Sequence, residues 1–113
     1  MYHIPPESVK SGEVTALFAK YLVLKEGGRK LDRRFTNFLC YYRFSPDVEF
    51  DVVPGNVTGQ NKKEINVKYV IPAGELSPGR TLEYYLKFEF DGHENTTKSY
   101  TVPLAAETVG SNK

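Results

Sequence analysis

At 113 residues, with fifteen Lys plus Arg against fourteen Asp plus Glu and a formal net charge of +1, the chain has the length of one domain and no global field to recruit nucleic acid or an acidic membrane. The single cysteine, Cys40, excludes an intramolecular disulfide and a thiolate metal cage. A composition that is 40% hydrophobic and 13% aromatic, with eight Tyr, seven Phe and no Trp, favours strands over helices, and no run of about 18 apolar residues is present to insert in a membrane as a helix.

Ile4-Pro5-Pro6 reads as a proline-stiffened lead-in over residues 1–7, because each Pro fixes its own φ and pushes the preceding residue out of the helical region. Val14 to Leu24 is the first long apolar run. Val14, Ala16 and Phe18 share one parity and Tyr21 and Val23 the other, which predicts a strand with a bulge or bend near Ala19. A helix competes there, since Leu17, Tyr21 and Leu24 also form an i, i+4, i+7 stripe. Lys25 to Arg34, with Gly27-Gly28, reads as a connection.

Phe35 to Phe44 follows as a strand with Phe38, Cys40, Tyr42 and Phe44 inward and Leu39, Tyr41 and Arg43 outward. Ser45-Pro46-Asp47 is turn chemistry, Val48 to Val53 a short strand, and Pro54-Gly55-Asn56 its end, with polar loop to Lys63. Glu64 to Ile71 alternates again, placing Ile65, Val67, Tyr69 and Ile71 on one face, and Pro72 to Arg80 is a crossing loop.

The strongest signal is Thr81 to Gly92. Leu82, Tyr84, Leu86, Phe88 and Phe90 alternate with Glu83, Tyr85, Lys87, Glu89 and Asp91, a period of two that only an extended strand with one wet face can use. Asp91-Gly92-His93-Glu94-Asn95 predicts a hairpin turn of the Asp-Gly kind, and Ser99 to Leu104 returns with Tyr100, Val102 and Leu104 inward. Residues 105–113 lack periodicity and read as a flexible tail. Strands spaced by turn signals, without a helical stretch, predict an all-β, antiparallel sandwich of about seven strands over residues 8–104.

The layout resembles an immunoglobulin-like or fibronectin type III-like module. The resemblance rests on Leu76-Ser77-Pro78-Gly79 followed by Tyr84, similar to a Leu-x-Pro-Gly turn preceding the tyrosine of the penultimate strand. Gly12-Glu13, Tyr41-Tyr42-Arg43, Ile71-Pro72-Ala73 and Glu83-Tyr84-Tyr85 are similar to pieces of bacterial immunoglobulin-like modules. The resemblance implies an antiparallel immunoglobulin-like β-sandwich with a tyrosine corner, in which the Tyr84 hydroxyl caps backbone of the Leu76–Arg80 loop. It also implies a non-catalytic accessory, spacer or protein-interaction role in a larger secreted or surface protein, without a cofactor. Leu86 to Gly92 (LKFEFDG) is similar to a run in carbohydrate-binding modules of the glycogen-branching-enzyme type, which implies the alternative of polysaccharide binding on exposed tyrosines.

The residues that carry a contact in either reading are Tyr41 and Tyr85, outward on their strands, and Arg33 and Arg34 in the basic set with Lys25, Arg29 and Lys30. Arg pairs suit carboxylate or sulfate geometry, but Glu26 and Asp32 interrupt the patch and no aromatic interleaves it as a nucleic-acid platform requires. Asp91, His93 and Glu94 share one turn, a weak cation motif in which Asp-Gly is first a turn signal. The sequons at Asn56 and Asn95 are expected in loops. Cys40 is expected as a small buried hydrophobe. No catalytic or metal-binding set stands out, so an enzyme is not expected; the partner expected is a protein or adjoining domain, outside the cell or on its surface.

Overall fold

The structure is a computed structural model describing residues 1–22, 25–26, 29–30, 35–60, 63–72, 74–90 and 92–105, with the side chains of 25–26 and 29–30 excepted. Ten strands are described: β1 (Tyr2–His3), β2 (Thr15–Leu22), β3 (Lys25–Glu26), β4 (Arg29–Lys30), β5 (Phe35–Phe44), β6 (Asp51–Gln60), β7 (Glu64–Ile71), β8 (Thr81–Phe90), β9 (His93–Thr96) and β10 (Tyr100–Pro103). β3 and β4 form a small hairpin of their own. The other eight form one antiparallel sheet in the order β1-β2-β7-β6-β5-β8-β10, with β9 alongside β8.

The sheet curls into a half-barrel because its inner face is continuously apolar. Leu17, Ala19 and Tyr21 of β2, Phe38, Cys40 and Tyr42 of β5, Ile65, Val67, Tyr69 and Ile71 of β7, Leu82, Tyr84 and Leu86 of β8, and Val102 of β10 are buried together. Tyr21 closes the curl: its ring centroid lies 4.8 Å from Phe38 on β5 and 5.1 Å from Phe88 on β8. Its hydroxyl meets that of Tyr69 at 2.7 Å. Among the described residues no buried side-chain polar atom lacks a partner, as a low-dielectric interior requires.

The inward parities of β5, β7, β8 and β10 are those the alternation predicts. β2 is a strand, not a helix, and pairs with β7 in unbroken register from Thr15 to Leu22. No bulge interrupts it, and its inward set is Leu17, Ala19 and Tyr21, while Phe18 and Val14 lie exposed. The outward apolar groups mimicked a change of parity.

β6 corrects a second expectation, since the chain does not end a strand at Pro54-Gly55-Asn56. β6 pairs with β5 through Pro54, and from Gly55 onward with β7. Pro54, without an N–H, stands at the last pair with β5, where a missing donor costs least. Gly55 follows because the backbone there runs into the core: a Cβ would sit 2.6 Å from Tyr69 Cε2 and Val67 Cγ1 and 2.7 Å from Phe38 Cβ.

The expected lead-in over residues 1–7 contributes a strand to the sheet. β1 pairs antiparallel with β2 at one rim of the sheet. Val9, 2% exposed, bridges in parallel to Leu104 at the other rim, through Val9 N–H to Pro103 O (2.9 Å) and Ala105 N–H to Val9 O (2.7 Å). A single strap therefore spans the mouth of the half-barrel. The chain turns back sooner than expected: His93 to Asn95, expected in the turn, belong to β9, with Phe90 opposite His93 and Gly92 at φ +81°, which an L side chain resists. Of the expected tail, residues 106–113 lie outside the described residues.

Candidate interaction face on β5 and β8

Outward positions of β5 and β8 fall opposite one another: Leu39 against Lys87, Tyr41 against Tyr85, Arg43 against Glu83. This register brings together two residues that are 44 positions apart in sequence and were singled out by parity alone. The Tyr41 and Tyr85 rings stack at 5.1 Å between centroids with planes 8° apart. Phe50, ahead of β6, adds a third ring, 5.3 Å from Tyr85 at 68°.

The charges around these rings are satisfied within the face. Arg43 donates from Nε to Glu83 (2.8 Å) and from Nη1 to the Val48 carbonyl (2.7 Å), which holds its guanidinium over the Phe50 ring, 4.4 Å from the centroid. Lys87 pairs with Glu94 of β9 at 2.7 Å and stands 6.0 Å from the Tyr41 centroid. The hydrogen bond to Glu94 raises the Lys87 pKa above its ordinary value. Sugar rings stack on open aromatic faces, whereas here Tyr41 and Tyr85 face one another and Phe50 carries Arg43. The arrangement offers ring edges and phenol hydroxyls beside half-exposed Val52, a mixture suited to a protein surface.

The tyrosine corner is not formed as expected. Tyr84 is fully buried, and its hydroxyl meets His3 Nε2 at 2.5 Å instead of backbone of the Leu76–Arg80 loop. β1 brings the imidazole to the phenol, which takes the place expected for loop backbone. The loop is held another way, through the Leu76 N–H to Ser11 Oγ at 2.8 Å and the Gly12 N–H to Gly74 O at 2.7 Å, while Leu76 packs half-buried against the core.

Arg33 and Arg34 lie outside the described residues, as do the side chains of Lys25, Arg29 and Lys30. Asp91 does too; His93 and Glu94 are exposed in β9, Glu94 is engaged by Lys87, and no group of three potential metal ligands occurs among the described residues. Asn56 and Asn95 sit in β6 and β9, not in loops. Cys40 is fully buried and burial pushes its thiol up to about 12, so it is a core side chain without nucleophilic character at neutral pH.

Three contributors escaped the sequence: Phe50, Arg43 as its cap, and His3. The signal for Arg43 was present in its outward parity beside Tyr41, but its partner depended on the β5–β8 register. No family model and no curated protein matches the chain.

Proposed function

We propose that the chain is an immunoglobulin-like β-sandwich module without catalytic activity, which serves a larger secreted or surface protein as a spacer and protein-interaction domain through the outer face of β5 and β8. The observation that carries this reading is the Tyr41–Tyr85–Phe50 cluster, an ordered aromatic patch on a wet sheet face whose neighbouring charges are already paired. Such a patch can be covered by a partner without stranding a charge. The strand order supports the fold part of the reading. β1, β2 and β7 lie on one side of β6 and β5, β8 and β10 on the other, so two groups of antiparallel strands face a shared core, as two layers of a sandwich do. That fold hosts many activities, so the functional part rests on the site.

A photo-crosslinking amino acid at Tyr85, compared with one at exposed Phe18, tests the proposal in the producing cell. A discrete adduct to one protein or adjoining domain from position 85, absent from position 18, is the expected result. Equal adducts from both positions, or none, would overturn it. Retardation in a soluble-glucan gel that Tyr85→Ala abolishes would instead assign the face to polysaccharide.

A further inference from the structure

His3 is the only polar side chain that β1 sends under the curl, and it is held on four sides. Nδ1 lies 2.7 Å from the Phe18 carbonyl of β2, Nε2 meets the Tyr84 hydroxyl of β8, and the ring packs edge-on against Tyr84 (5.6 Å) and Tyr100 of β10 (5.1 Å). A carbonyl oxygen only accepts, so Nδ1 carries the hydrogen; Nε2 is then bare and accepts from the phenol. The geometry thus selects one neutral tautomer.

We propose that His3 is an acid-sensitive latch that keeps β1 seated on the β2 edge while neutral and releases it when protonated. A proton taken from water by Nε2 places an N–H against the Tyr84 hydroxyl, which must stop donating, and its own hydrogen finds no acceptor among its described partners. Among the described residues no carboxylate bonds to the ring. Facing the ring are the Phe18 carbonyl, the Tyr84 phenol and Tyr100, whose ring has Lys98 Nζ 5.6 Å away. The Cys40 thiol of β5 is close enough to act on the Tyr84 phenol. The carboxylate nearest along β2 and β7, Glu64, is engaged with Lys20. Burial accordingly depresses the imidazole pKa, against a smaller opposing effect of the Phe18 hydrogen bond.

A groove of about 630 Å³ beside β1, lined by Tyr2, His3, Ile4 and Phe18 among others, gives water a route to the ring. β1 has only two paired positions with β2 to lose. The Val9 bridges at the opposite rim contain no titrating group, so release is confined to the part of the strap ahead of the Pro5-Pro6 pair.

Hydrogen exchange followed by mass spectrometry between pH 7.5 and 5.0, corrected for intrinsic rates, tests the latch. A folded pKa below the free value means that seating is complete above about pH 6.5. Protection of Tyr2, His3 and Lys20 then falls by up to about tenfold per pH unit between that pH and the folded pKa, while the β5–β8 ladder stays protected. In His3→Gln that slope vanishes, and in Tyr84→Phe β1 exchanges faster already at pH 7.5. A flat wild-type profile, or a slope retained in His3→Gln, overturns the proposal. Titration of the wild-type His3 ring by NMR decides independently of either variant: a midpoint below 6.5 that coincides with the loss of protection supports the latch, and a midpoint at or above 6.5 refutes it.

Discussion

Gly55→Ala adds one methyl group where β6 passes from one partner strand to the other. The new carbon would lie 2.6 Å from Tyr69 Cε2, 2.6 Å from Val67 Cγ1 and 2.7 Å from Phe38 Cβ, about 1 Å inside ordinary carbon contact in each direction. Tyr69 and Val67 are essentially fully buried, and the Tyr69 ring is tethered by its hydroxyl to Tyr21, so none of the three can swing away. Backbone must move, within a residue paired to Tyr69 across the β6–β7 ladder. Overpacking of a close-packed core costs about 1–3 kcal/mol; with three simultaneous clashes the loss should be about 3. For a domain of this size 1 kcal/mol corresponds to roughly 4–8 °C, so the melting temperature should fall by about 12–24 °C. Far-UV circular dichroism melts measure this directly. Gly59→Ala, whose Cβ meets only Asn66 Nδ2 at 3.7 Å, provides the control and should change stability by no more than ~0.5 kcal/mol. Equal melts for Gly55→Ala and the wild type would show that the crossing is not packed as described.

The buried hydroxyl pair Tyr21–Tyr69 should be strongly non-additive. Either single change to Phe strands the remaining hydroxyl and costs ~1–3 kcal/mol, whereas Tyr21→Phe/Tyr69→Phe together should cost less than the sum; urea melts that give additive losses would exclude the pairing. Burial raises the phenol of Tyr21 to about 12 and raises those of Tyr69 and Tyr84 as well. A folded pKa above the unfolded value of about 10 leaves stability intact below pH 10 and removes it as the pH climbs beyond, by up to ~1.4 kcal/mol per unit for each phenol. Phenolate absorbance should therefore lag until the chain unfolds, and a titration completed near pH 10 by a still-folded protein would contradict the burial.

How much of this was legible in the chain depended on which faces were wet. β7 and β8 have one polar and one apolar face, so parity alone identified Ile65, Val67, Tyr69, Ile71, Leu82, Tyr84 and Leu86 as core. β2 carries Phe18 outward and follows Val14, both exposed at about the sixty-percent level, and its period was lost. β6 is exposed along most of its length, so burial imposed no pattern to read, and Pro54-Gly55 looked like an ending because local turn chemistry does not reveal an exchange of partners. In the candidate face, Tyr41 and Tyr85 were visible as outward rings, but their stacking required the register. His3 and Tyr84 are 81 residues apart, beyond any local rule.

The shared ownership of β6 bears on how force and unfolding travel through the molecule. One continuous backbone supplies the edge of the β1-β2-β7 group and then the edge of the β6-β5-β8 group, so separating the groups means stripping β6 from β5 or from β7. Opening half the sheet therefore costs one of the two β6 ladders, which couples the stability of the two groups. For the proposed spacer role the consequence is a single joint, since tension entering either rim reaches the same strand.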